Sequence, residues 1–312
     1  MPHSRVNPAA AAALFTLAGL ALFSPILRAQ DPPGREQLDR RIHDAVARFQ
    51  ATTSLYAENL DSGAAYGLHE NDRVRTASTI KLAVMATVFD QVAHGHAHWT
   101  DQLTLHDADK VAGSGVLSEF SDGARISIRD LVHLMIVVSD NTATNLLLDR
   151  FSADAVNAEM DSLGLKQTRS LRKVLIDGKA PSGYSAAGRD PENQRFGLGM
   201  STPREMVTLI GKMERGQVVS VEASREMIAI LKRQQYKDGI GRRVGNLEVA
   251  SKSGALDHLR SDVGIVYTPH GRIAIAITCD DLPKVDHSAD NAGNIFISEL
   301  TSILIDGFST KK

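Results

Sequence analysis

Strand-like segments lie near both ends of this chain and leave the middle to helices, and this arrangement constrains the fold more than any single motif. Near the N-terminus, Ser54-Leu55-Tyr56-Ala57 and Ala64-Ala65-Tyr66-Gly67-Leu68 flank the turn signal Asp61-Ser62-Gly63, which reads as a β-hairpin. Near the C-terminus, Glu248-Val249-Ala250 leads into Lys252-Ser253-Gly254, and the runs Val263 to Tyr267 and Ile273 to Thr278 flank Pro269-His270-Gly271, a second hairpin. Strand backbones must find partners, so the two ends are expected to meet in one antiparallel sheet.

Leu38, Ile42, Val46 and Phe49 recur at helical spacing up to about Gln50, and Ile295, Phe296, Leu300, Ile303 and Leu304 give a closing helix. From about residue 78 to about 235 nearly everything reads as helix and loop. Ser127 caps the apolar run from Ile128 to Val138, and another helix follows from about Thr142 to Phe151. Thr202-Pro203-Arg204-Glu205 is a capping box with proline at the first helical position. Between Leu171 and Met200 lies a long irregular segment punctuated by Pro181, Gly183, Gly188, Pro191, Gly197 and Gly199; a loop of that length in a compact domain is functional or disordered. The expected class is α/β (α+β), an antiparallel five-stranded sheet flanked by helices with an inserted all-α domain. Residues 30–75 and 240–312 would form the sheet domain and 76–239 the helical insertion, with an active site between them.

At 312 residues, with 43% hydrophobic and 23% charged side chains, the composition is globular. A net charge of -2 gives no basic footprint for nucleic acid. Cys279 is the only cysteine and ends the apolar run from Ile273 to Ile277, so it reads as a core residue and no intramolecular disulfide can form. His3 and Arg5 precede the stretch Ala9 to Phe23, too short and Ala-rich for a membrane span, and Leu27-Arg28-Ala29 follows as a cleavage signal. The expectation is a signal peptide over 1–29 and an exported protein, periplasmic or secreted, with no stable membrane insertion after cleavage. The alternative is an uncleaved N-terminal anchor.

Three short motifs carry chemistry. In Thr76-Ala77-Ser78-Thr79-Ile80-Lys81, followed by an apolar run, Ser78 at the first turn of a helix and Lys81 at i+3 share one face, so the amine can reach the hydroxyl. The helix N-terminus supplies unpaired N–H groups where an oxyanion would form. Ser170/Lys173 and Ser309/Lys312 carry the same spacing, so the pattern alone does not single out Ser78. Ser139-Asp140-Asn141 falls at the end of an apolar helix, where the bland reading is a helix stop with a fresh N-cap. Lys252-Ser253-Gly254 falls at the end of a strand. Their joint order on helix start, helix end and strand sets Ser78 apart.

This set resembles the class A β-lactamases and their penicillin-recognising serine peptidase relatives, and the likeness covers most of the chain, with Gly113-Ser114-Gly115-Val116-Leu117 and Ser201-Thr202-Pro203 as further family-like segments. The resemblance implies the β-lactamase/transpeptidase-like fold. It makes Ser78 the acylated nucleophile, Lys81 its base, Ser139 the proton carrier to the leaving nitrogen, and Asn141 a partner of substrate and Lys81. Lys252 and Ser253 would bind the substrate carboxylate, and the N–H groups of Ser78 and Ala255 would form the oxyanion hole. A base needs a neutral amine, and burial plus the charge of Lys252 would lower the pKa of Lys81.

Two positions depart from the family. Its members place a glutamate four residues before an asparagine in the loop ahead of the Thr-Pro helix, where it holds the deacylating water; here the residue four before Asn193 is Arg189. Glu192, beside Asn193, is the candidate replacement, its bland reading a solvated carboxylate. The residue before Gly264 is Val263 where many members have arginine, and Arg260 is the nearby substitute for the substrate carboxylate. His94, His96 and His98 alternate at a helix end, a spacing that could bind a metal if extended and whose bland reading is a plain loop; no metal or other cofactor is expected. His133, within an apolar helix, reads as a satisfied packing residue. The resemblance thus implies a serine β-lactamase acting on small-molecule β-lactams, and the expected state is a monomer. The alternatives are an acyl-serine enzyme of D-Ala-D-Ala or other peptidoglycan-type peptides or esters that deacylates slowly, and a non-catalytic binder of cell-wall fragments.

Overall fold

The two hairpins pair with each other across the whole length of the chain. In the computed structural model, which describes residues 33–174 and 183–309, the helix α1 (Pro33–Ala47) precedes the hairpin β1 (Thr52–Asn59) and β2 (Ala65–Leu68) and the short strand β3 (Val74–Arg75). The middle holds α2 (Lys81–Ala93), β4 (Gln102–Thr104), β5 (Arg125–Ser127), α3 (Ile128–Val137), α4 (Asn141–Phe151), α5 (Ala153–Ser162), β6 (Arg169–Ser170), α6 (Ala186–Arg189), β7 (Gly199–Ser201), α7 (Pro203–Glu214) and α8 (Val221–Leu231). The chain returns through β8 (Glu248–Leu256), β9 (Leu259–Thr268) and β10 (Gly271–Asp280) and closes with α9 (Ala292–Ser309).

The main sheet has five strands in the order β2-β1-β10-β9-β8. All four pairings are antiparallel, and β1 lies along β10 from Thr52 opposite Asp280 to Asn59 opposite Ile273. Strand residues alternate between faces. Leu55, Ala57, Ile273, Ile275 and Ile277 pack with Ile42 of α1 and Ile297 and Leu300 of α9. Tyr56, Ala274 and Ala276 face the other way, into the core shared with the helices of the middle segment. A one-residue slip would exchange these two sets, which is what holds the register. Cys279 is fully buried in the first core, as its place in the apolar run implies.

Every residue of α2 from Lys81 to Phe89 is buried. A helix buried on all sides sits at the centre of its domain rather than at the surface, and this one carries a lysine into that centre. Two small sheets were absent from the sequence expectation of helix and loop: β3-β7-β6 and the pair β4-β5. Their strands are two or three residues long, too short for alternation to register. The first matters for the site, because Arg75 opposite Met200 ties the approach to Ser78 to the exit of the long loop. His133 differs from expectation too: its Nε2 is buried and has no hydrogen-bond partner among the described residues. The segment read as a signal peptide lies outside the described residues.

Candidate active site

Ser78 does not stand in the α-helix itself. It lies in a 3-10 turn, Ala77–Ile80, that feeds directly into α2 at Lys81. In a 3-10 turn residues i and i+3 eclipse, so Ser78 and Lys81 still project to one side. Ala77 just before the serine has φ 47°, a left-handed conformation that costs a non-glycine residue about 1–2 kcal/mol. Strand β8 braces this turn from outside. A Cβ at Gly254 would fall 2.8 Å from the Thr76 carbonyl oxygen and 3.1 Å from the Ser78 nitrogen. Only a residue without a side chain lets the strand approach so closely, and that approach brings the backbone of Ala255 and of Ser78 into one cleft.

Ser139-Asp140-Asn141 joins α3 to α4, and the helix stop and fresh N-cap are both present. Asp140 caps α4, its Oδ1 accepting from Ala143 N at 2.8 Å. Its Oδ2 accepts from Val116 N at 2.6 Å and Leu117 N at 2.9 Å. A Cβ at Gly115 would lie 2.2 Å from that oxygen, and Gly115 has φ 107°, so the 113–117 loop can wrap the carboxylate only with glycine there. The same loop holds the flanking residues: Ser114 Oγ donates to Ser139 O at 2.7 Å and Asn141 Nδ2 donates to Ala112 O at 3.0 Å. The cap is therefore the device that aims Ser139 and Asn141, and the bland and functional readings describe the same geometry.

The two lysines meet at Ser139. Lys81 Nζ donates to Ser139 O at 2.7 Å, Asn141 Oδ1 at 2.9 Å and Ser139 Oγ at 3.2 Å. Lys252 Nζ donates to Ser139 Oγ at 3.0 Å and to Ser253 O at 2.7 Å. Both lysines are 0% exposed. Burial, and after it the charge of Lys252, hold the Lys81 amine well below its ordinary pKa, with Asp140 opposing. Burial also brings Lys252 down to about 7 against the pull of Asp262, and lifts the fully enclosed Asp262 to about 6. A hydroxyl has two acceptor sites and one proton. With both amines donating to Ser139 Oγ, the hydroxyl's own proton is not needed for either bond, as transfer to a leaving nitrogen would require.

One expectation is not met. Among the described residues no hydrogen bond joins Lys81 Nζ to Ser78 Oγ; the amine is taken up by two carbonyl-type oxygens and the Ser139 hydroxyl. Carbonyl oxygens are the better acceptors for an ammonium, and loss of its proton is what frees the amine to turn to the serine.

The remaining sequence candidates divide. Ser253 and Ala255 line the same cleft as Ser78, Ser139 and Asn141, a space of about 1420 Å³. Arg260 also reaches it, but its Nη1 donates to Leu256 O and Leu259 O, both at 2.6 Å, and its Nη2 to Asp286 O. Its guanidinium pins the β8–β9 hairpin to the following loop and leaves little for a substrate carboxylate. Glu192 is exposed on a 3-10 turn, Pro191–Phe196, and is not among the described residues that line the cleft. Asn193 is buried behind it, with Nδ2 donating to Ala187 O at 3.0 Å and Oδ1 unpartnered. Neither is brought to Ser78. The turn's cap explains this: Asp190 Oδ1 accepts from Glu192 N at 3.0 Å, which fixes the start of the turn with Glu192 in solvent. The loop offers the cleft Arg172, Val174, Gly197 and Leu198 instead. Val174 is held on both sides by Asn145, whose Oδ1 accepts from Val174 N at 2.9 Å and whose Nδ2 donates to Val174 O at 3.2 Å. Asn145 escaped the sequence reading, although it stands one turn after Asn141 on α4 and shares its face.

Ser170 is fully buried in β6 and Lys173 is ion-paired with Asp149, while Lys312 lies outside the described residues. His94 and His98 have carboxylate neighbours, Asp90 at 3.0 Å and Asp101 at 3.8 Å, yet no group of three ligands that could hold a metal occurs among the described residues.

The sequence profile of the beta-lactamase enzyme family matches residues 37–308. The chain belongs to that family. A beta-lactamase structure from Sphaerobacter thermophilus superposes with a TM-score of 0.75 at 30% identity, over 88% of this chain and 97% of that one. A structure of PBP-A superposes with a TM-score of 0.74 at 25% identity, over 87% of this chain and 96% of that one. Beta-lactamase L2 of Stenotrophomonas maltophilia is 30% identical over 169 residues, 54% of this chain and 51% of that protein, so the chain spans about half the length of this relative. Family membership and the assembled Ser78, Lys81, Ser139 and Lys252 support a hydrolase of the serine β-lactamase or penicillin-binding type.

Proposed function

We propose that this protein is an acyl-serine enzyme of the class A β-lactamase type, in which Ser78 opens the β-lactam amide quickly and the acyl group is released slowly. The observation that carries the reading is the buried meeting of Lys81, Ser139, Asn141 and Lys252 at one hydroxyl, together with the outward position of Glu192. Neutral Lys81 takes the Ser78 proton as Oγ attacks the carbonyl carbon. The oxyanion collects at the N–H groups of Ser78 and Ala255. When the C–N bond breaks, Ser139 gives its proton to the nitrogen and is resupplied from Lys81. Lys252 and Ser253 hold the carboxylate on the leaving side. Hydrolysis of the ester then needs a base for water, and among the described residues the loop presents Val174 rather than a carboxylate at the cleft wall.

A peptidoglycan-type peptide is the second substrate class, favoured by one observation. The cleft of about 1420 Å³ continues past Ser78 along the β8–β9 hairpin to Pro283 and His287, more room than the roughly 300–1,000 Å³ of a drug-sized ligand site.

Mass spectrometry of the purified protein after brief exposure to benzylpenicillin tests the proposal. A penicilloyl adduct on Ser78 that forms promptly and decays slowly is expected. If no adduct forms and a chromogenic cephalosporin is turned over no faster than by Ser78→Ala, the reading fails.

A further inference from the structure

Three arginines reach the cleft: Arg75, Arg172 and Arg260. Arg75 Nε donates to Asp280 Oδ2 at 2.8 Å, forming an ion pair. Arg260 is spent on three backbone carbonyls. Arg172 has no ion-pair partner among the described residues. Among the described residues its guanidinium makes one hydrogen bond, Nη1 to the Lys173 carbonyl at 3.5 Å, at the outer limit of such a bond. No carboxylate lies within ion-pairing distance of it among the described residues, and the neighbouring Lys173 already neutralises Asp149.

The side chain is nonetheless well placed. Its backbone bridges to Tyr184, and the preceding Leu171 N donates to Leu198 O at 2.9 Å. Nη2 lies 3.8 Å from where a Cβ at Gly197 would stand, so the guanidinium rests against the bare backbone of Gly197, and both belong to the cleft wall. A half-buried guanidinium with most of its donors unused calls for an anion. It stands on the long loop and lines the same cleft as Ser253 of β8. On the reading above Lys252 and Ser253 take the carboxylate on the leaving side of the scissile amide, which leaves the acyl side for Arg172.

We propose, building on the acyl-serine reading, that Arg172 forms a second anion-recognising subsite, selecting substrates whose acyl portion carries a carboxylate in addition to the one met by Lys252 and Ser253. The preferred substrate is then an amide with acidic groups on both sides of the bond attacked by Ser78, as in an acidic peptide. Because Arg172 would contact the substrate away from the reacting atoms, it sets specificity and not the chemistry.

Benzylpenicillin and its α-carboxy derivative carbenicillin differ by the group in question. The measurement is the ratio of their second-order acylation constants at Ser78 for the wild type, Arg172→Gln and Arg172→Lys. Loss of one half-buried charge contact predicts a fall of about tenfold in the carbenicillin-to-benzylpenicillin ratio for Arg172→Gln, with most of it restored by Arg172→Lys. Added salt should lower the wild-type ratio and leave the Gln ratio flat. A role confined to holding the loop would slow both penicillins alike, so an unchanged ratio overturns the proposal even if both rates fall. Should the wild type form no adduct, the acyl-serine reading fails by itself. The subsite is then read by calorimetry of the two penicillins with Ser78→Ala and with the Ser78→Ala/Arg172→Gln double variant. A preference for carbenicillin present in the first and lost in the second sustains the subsite, and equal behaviour overturns it.

Discussion

Replacing Gly254 by alanine tests the contact on which the Ser78 cleft depends. The new methyl carbon would lie 2.8 Å from Thr76 O, 3.1 Å from Ala77 Cβ and 3.1 Å from Ser78 N. Comfortable carbon contacts begin near about 3.5 Å, so strand and turn must separate by roughly half an ångström. None of the three atoms is the end of a flexible side chain; they belong to the turn that carries Ser78. Overpacking of this kind costs about 1–3 kcal/mol, which for a chain of this size is a fall in Tm of about 3–10 °C. The effect on acylation should be larger than the effect on stability. The two proposed oxyanion donors sit on the two segments being forced apart, and loss of one such donor costs about 10²–10³ in rate. An acylation slowed by about 30–300-fold is expected, measured by stopped flow with a chromogenic cephalosporin at concentrations where acylation limits. If Gly254→Ala acylates within threefold of the wild type and melts at the same temperature, β8 does not brace the turn as described.

Asp140→Ala strips the acceptor from Ala143 N, Val116 N and Leu117 N at once; leaving donors unmet costs about 1–3 kcal/mol each, so urea unfolding should show a loss of about 3–9 kcal/mol, and a loss below about 1 kcal/mol would contradict it. Lys252 has its folded pKa lowered from 10.5 to about 7, so between those values the unfolded chain binds the extra proton and stability should rise with pH. This contribution is complete above the unfolded value and is lost as pH falls to 7; wild-type urea midpoints compared with those of Lys252→Met across that window should show it, and parallel profiles would refute it. For the same reason acylation by carboxylate-bearing β-lactams should decline above about pH 7 as Lys252 loses its charge, and Asp262→Asn should move that decline to lower pH, because the Asp262 charge supports the ammonium.

Much of this protein was legible along the chain because the signals are local. Alternation in Ser54 to Ala57 and Ile273 to Thr278, the turn residues between paired runs, and the Thr202-Pro203 capping box each report on a few adjacent residues, and they suffice for the five-stranded sheet. Motif order singled out Ser78, Lys81, Ser139, Asn141, Lys252 and Ser253, which meet in or beside one cleft. Side-chain environment was not local. Glu192 and Arg260 suited their supposed tasks by residue type, and the cap of a 3-10 turn and three backbone carbonyls committed them elsewhere. Lys81 owes its lowered pKa to burial at the start of α2 and to Lys252 from the far end of the chain. Whether a side chain is buried, paired or left free depends on which distant segments pack against it. The sequence therefore determined the sheet and the residues of the proposed acylating site, and the tertiary packing decided that, among the described residues, Arg172 and not Arg260 keeps an unpaired charge in the cleft.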